Sequence, residues 1–95
     1  MIDKARALPD LVARLRKLGV GRELVLLTYK RDRSVTVSRL TEQRYRITEN
    51  GFEKNIQETG PAGLKGRLKS LLKREFPRSN KIRVREQAAE EAAEN

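Results

Sequence analysis

Arg44-Tyr45-Arg46-Ile47-Thr48-Glu49-Asn50-Gly51-Phe52-Glu53-Lys54-Asn55-Ile56-Gln57-Glu58 is the stretch whose reading decides the fold. Asn50-Gly51, a dipeptide suited to the positive φ angles of a type I′ turn, sits between the runs Arg44–Glu49 and Phe52–Glu58, so the stretch predicts a β-hairpin. Pairing Glu49 with Phe52 sets Tyr45 opposite Ile56 and places Ile47 and Phe52 on that same face. Arg44, Arg46, Thr48, Glu53, Asn55 and Gln57 then share the other face, leaving one apolar side to bury and one polar side.

Upstream, Leu24 to Tyr29 and Val35 to Leu40 are β-rich runs separated by Lys30-Arg31-Asp32-Arg33-Ser34, a second predicted hairpin. Before them Leu8, Leu11, Val12, Leu15 and Leu18 recur at helical spacing and stop at Gly19 and Gly21. Pro9 fits the first turn of that helix, which makes residues 1–7 a frayed lead-in. Downstream, Gly60-Pro61 opens a second helix with an apolar stripe of Leu64, Leu68, Leu71, Leu72 and Phe76, and Pro77 ends it. Lys81-Ile82-Arg83-Val84-Arg85 reads as a short edge strand, and residues 86–95 as an acidic, disordered tail. The fold class is therefore α+β. It comprises a helix, an antiparallel sheet of about four strands in two hairpins, a second helix and a C-terminal edge strand, all in one domain over residues 1–85.

Composition narrows the chemistry. The 95 residues hold 22 Lys and Arg against 13 Asp and Glu, a net charge of +9. All 22 bases but only nine of the acids lie in residues 1–85, so that body carries +13. Such a charge favours phosphate polymers through long-range attraction and counterion release. Arg outnumbers Lys by 14 to 8, and the guanidinium fork suits phosphate and base stacking. With no Cys and no His, thiolate and imidazole metal sites and most nucleophile–base pairs are excluded. The acids are scattered without the pairing that carboxylate catalysis needs, so no catalytic residue, metal or cofactor is expected. No apolar run is long enough to cross a bilayer and the first residues lack a signal-peptide stretch, so a cytoplasmic location and no membrane partner are expected.

Three groups of residues are candidates for binding nucleic acid. On the second helix, Gly63, Gly66 and Ser70 form a smooth strip between Arg67 and Arg74 on one side and Lys69 and Lys73 on the other, with Lys65 beside them. Glycines inside a helix cost about 1 kcal/mol each, and close approach of a sugar-phosphate backbone would offset that cost. The ordinary alternative is that they admit another part of the protein. Arg44 and Arg46 project together from the polar side of the hairpin, joined by Arg39 and by the bases of 30–33; here the alternative is cross-strand pairing with Glu53 and Glu58. Finally, Lys73, Arg74, Arg78, Lys81, Arg83 and Arg85 gather around a turn, as phosphate ligands or as charges that keep an edge strand soluble.

Gly63-Leu64-Lys65-Gly66, followed by a basic amphipathic helix and a strand, resembles the GXXG stretch of KH RNA-binding domains over about a quarter of the chain. That resemblance implies a loop clamping the nucleic-acid backbone, although the segment before it reads as a strand where KH domains have a helix. The order helix, strands, helix is similar to that of double-stranded RNA-binding domains. The expected function is a non-catalytic nucleic-acid-binding module, RNA ahead of DNA, that works through backbone contacts. The alternative is an accessory domain whose partner is an acidic protein.

Overall fold

The computed structural model describes residues 2–27, 33–51, 54–76 and 81–89. Its elements are β1 (Ile2–Asp3), α1 (Lys4–Lys17), β2 (Arg22–Leu27), β3 (Ser34–Thr41), β4 (Arg44–Asn50), β5 (Lys54–Thr59), α2 (Pro61–Glu75) and β6 (Lys81–Ala88). β2 to β5 form an antiparallel meander, and α2 carries the chain back across it so that β6 lies antiparallel beside β2. β6 is thus the edge of the five long strands, and the two-residue β1 covers only its first two residues.

Both helices pack on one face of this sheet. Ala7, Leu11, Val12, Leu15 and Leu18 of α1 and its following turn meet Leu64, Leu68, Leu71, Leu72 and Phe76 from α2 and its C-terminus. Beneath them lie Leu24, Leu26, Val35, Val37, Tyr45, Ile47 and Ile82, alternate residues of four strands that point the same way. Burying these side chains supplies the main favourable term in folding. Among the described residues no element packs on the opposite, open face.

The structure departs from the sequence reading at three places. α1 begins at Lys4, not at Pro9, because Ile2–Asp3 pairs with Ile82 and Lys81 and Ala7 is fully buried. Tertiary contacts thus override the cost of Pro9 at the sixth helical position. The β4–β5 ladder pairs Asn50 with Lys54 and Tyr45 with Thr59. That register is three residues away from the one expected of an Asn-Gly turn, and an odd shift turns a strand over. Ile56 accordingly lies opposite Thr48 on the open face, 66% exposed, instead of under the helices.

Gly51 is needed there for closeness: a Cβ would come within 2.9 Å of Arg33 Cβ and closer still to the Glu75 carboxylate. Lastly, β6 continues through Ala88, three residues beyond the Arg85 end expected of the edge strand. Glu86 pairs with Arg22 at 2.7 Å and Gln87 donates to Glu23 at 2.6 Å, which ties those residues to β2. Residues 90–95 fall outside the described part.

Candidate nucleic-acid interface

The candidate residues are divided between opposite sides of the sheet. Gly63, Lys65, Gly66, Arg67, Lys69, Lys73 and Arg74 belong to α2, in the helix layer. Arg44, Arg46, Lys81 and Arg83 project from the open face, where their strand parity puts them. Arg78 lies outside the described residues, as do Lys30 and Arg31. Among the described residues a single surface joining the second helix to the polar side of the sheet is therefore not formed.

On the open face much of the charge is satisfied internally. Arg44 and Arg46 both donate to Glu58, at 3.1 and 3.4 Å, which is the cross-strand pairing offered by the register. Ser38 and Gln87 hydrogen-bond the two oxygens of Glu23, a carboxylate on this face that is 3% exposed. Satisfying both oxygens is what permits its burial. Arg39 is not on this face at all. It points to the helix side, donates to the carbonyls of Arg16, Leu18 and Glu42, and lies over the Tyr45 ring at 5.4 Å. It satisfies carbonyls at the end of α1, the end at which a cation is favoured by the helix dipole. Arg33 likewise turns inward, donating to the Glu75 carbonyl at 3.3 Å.

In the helix layer the two flanks of α2 behave differently. Arg74 makes a two-pronged contact with Glu49, Nε and Nη2 each donating at 2.8 Å to a carboxylate with no exposed surface. Hydrogen bonding from Arg74 is the main cause holding the Glu49 carboxyl below its usual pKa; burial opposes it, while a hydrogen bond with Glu75 and the Arg74 charge add to it. Arg67 donates to the Gln57 side chain. These two arginines fasten α2 to β4 and β5.

Lys65, Lys69 and Lys73 succeed one another at intervals of four residues and are exposed, about 6 Å apart along the axis. Between the flanks, the glycines differ in purpose. A Cβ on Gly63 would stand 2.6 Å from Thr59 Oγ1, so that glycine admits a neighbouring side chain. A Cβ on Gly66 would meet nothing within 4 Å.

Gly63-Leu64-Lys65-Gly66 sits inside α2 with Leu64 buried at 1% exposure, and it follows β5. The clamp loop implied by the KH resemblance is therefore not formed, because one of its four residues is part of the core and all four are helical.

Residues that sequence reasoning did not select complete the surface. Arg6, Arg14, Arg16 and Lys17 of α1 are exposed in the same layer, and α1 packs against α2. Among the described helix side chains the only exposed acid is Asp10. The signal was present in the sequence as the polar side of an amphipathic helix, but its alignment beside α2 depends on both helices choosing one face of the sheet. Among the described residues no group of three or more acids, Cys or His is placed to hold a metal, and no helix is long and apolar enough to cross a membrane. No known protein family, curated protein or solved structure matches the chain.

Proposed function

We propose that the chain is a non-catalytic nucleic-acid-binding module that holds the phosphate backbone along the outer surface of its helix layer. One observation carries the reading. Arg6, Arg14, Arg16 and Lys17 on α1 and Lys65, Lys69 and Lys73 on α2 are exposed together, with Asp10 the sole exposed acid in the described helices. Most of the other described acids are already engaged by partners other than these seven cations: Glu49 with Arg74, Glu58 with Arg44 and Arg46, Glu86 with Arg22, and Glu23 with Ser38 and Gln87. The positive field of the helix layer is thus little neutralised from within, and exposed cations in such a field attract and hold phosphates. Gly66 keeps the middle of α2 smooth where a backbone would lie, and its open surroundings leave packing without a claim on it.

RNA is favoured over DNA. The two helices are separated by four strands and lie flat on a sheet, an arrangement that suits backbone and shape recognition better than insertion of a recognition helix into a major groove. A cytoplasmic location goes with this reading. The test is a fluorescence-polarisation titration of labelled single- and double-stranded RNA and DNA at several salt concentrations. If about six phosphates are neutralised, the logarithmic salt slope is about −5 on duplex DNA and about −4 on single strands. A flat salt response, or binding to an acidic polypeptide in preference to every oligonucleotide, overturns the proposal.

A further inference from the structure

We infer that two copies of this chain associate edge to edge through β5, forming one continuous sheet across a two-fold axis. β5 ends the strand order, and among the described residues nothing pairs with its outer edge. An open edge presents a row of backbone donors and acceptors to any strand that fits it. The side chains of this strand are chosen in a way that fits itself.

Read in opposite directions, Lys54-Asn55-Ile56-Gln57-Glu58 is its own chemical complement. Laid antiparallel with Ile56 against the second copy's Ile56, each Lys54 faces a Glu58 and each Asn55 faces a Gln57. The observed register puts Lys54, Ile56 and Glu58 on the open face and Asn55 and Gln57 on the helix side. Opposite charges would therefore meet on one face and amides on the other. Pairs of opposite charge and pairs of apolar side chains directly across an antiparallel ladder are stabilising, and like charges there are destabilising. Sliding the two strands by two residues separates both ion pairs and both isoleucines, so one register is preferred.

Ile56, at the centre, is 66% exposed and is one of two large hydrophobic side chains so exposed among the described residues. A depression of about 520 Å³ borders the same strand, lined by Thr48, Asn50, Lys54 and Ile56 among others. A lysine on an edge strand ordinarily discourages pairing. Here a glutamate waits at the complementary position, so the charge selects its own strand and rejects others. Glu58 already accepts from Arg44 and Arg46, and a carboxylate has about four acceptor positions, enough to take Lys54 as well. The contact is isologous, as a two-fold axis requires. Five residues a side fall short of the roughly 1,200 Å² typical of stable interfaces, so the association is weak and depends on concentration.

Sedimentation velocity over a wide concentration range tests this. The unaltered chain is expected to pass from monomer to dimer, and Ile56→Lys to weaken association about tenfold or more. Lys54→Glu alone and Glu58→Lys alone each set like charges face to face and remain monomeric, whereas an equimolar mixture of the two restores both ion pairs and associates. Ile56→Lys leaves the Glu58 bonds untouched, so it gives an answer even if Glu58→Lys fails to fold. A chain that stays monomeric throughout, an Ile56→Lys variant that dimerises as before, or a mixture no better than its parts overturns the inference.

Discussion

The two flanks of α2 carry the same sign of charge and use it in opposite ways. On one flank Arg67 and Arg74 turn down onto Gln57 and Glu49, and on the other Lys65, Lys69 and Lys73 stand in solvent. Side-chain chemistry accounts for the division. A guanidinium presents a planar fork that can satisfy both oxygens of a buried carboxylate, while an ammonium is a compact, strongly hydrated charge that favours water or a phosphate. Charge in a basic protein is therefore a poor map of its binding surface until the internally paired arginines are set aside. Arg39, Arg44 and Arg46 make the same point, the first committed to carbonyls at the end of α1 and the others to Glu58.

Loss of the fastening flank is the most damaging change to the fold. Arg74→Ala leaves Glu49 fully buried without its main partner and should lower unfolding free energy by about 3 kcal/mol, the lower end for a broken buried pair because Arg74 itself is 35% exposed. Chemical denaturation measures this directly, and Arg74→Lys should recover only part of the loss. The same pair gives a pH dependence. Because the Glu49 pKa is lower in the folded chain than its ordinary value of 4.5, its contribution is complete above that value and is lost as pH falls through the lowered one. Melting curves through the acid range should show the unaltered chain losing stability more steeply than Arg74→Ala, which has already lost that contribution.

The smallest expected effects come from the strip between the flanks. Gly66→Ala removes the entropic cost of a helical glycine into open space and should stabilise the fold by up to about 1 kcal/mol. Gly63→Ala should give no such gain, since its methyl would displace the Thr59 hydroxyl from its 3.1 Å bond to the Gly60 carbonyl. Thermal melts of the two variants, side by side, distinguish the glycine that serves packing from the one that does not.

How far these features were legible in the sequence follows from their physics. The α2 boundaries were readable because Gly60-Pro61 and the leucine stripe are local signals, and the observed helix, Pro61–Glu75, agrees with them. The β5 register was not, because Lys-Asn-Ile-Gln-Glu-Thr has one apolar residue and no alternation to anchor it. The turn rule then stood alone, and the closeness of Gly51 to Arg33 and Glu75 is a tertiary matter. Likewise, β1 is two residues long and exists through its pairing with β6, which no local pattern announces. In the candidate site the lysines of α2 were visible as a helical face. The commitments of Arg67 to residue 57 and of Arg74 to residue 49 are not, since they span ten and 25 positions and depend on the register.

The measurement that bears most directly on the helix-layer reading is a paired titration of a labelled RNA duplex with two variants at low salt. Lys65→Glu/Lys69→Glu/Lys73→Glu should bind on the order of 100-fold more weakly than the unaltered chain, with a salt slope shallower by about 3 and an unchanged melting temperature. Arg44→Glu/Arg46→Glu, on the opposite side of the sheet, should bind within a few-fold of it. If the lysine variant binds as before while the arginine variant loses the RNA, the phosphates lie on the open face and the account of the helix layer is contradicted.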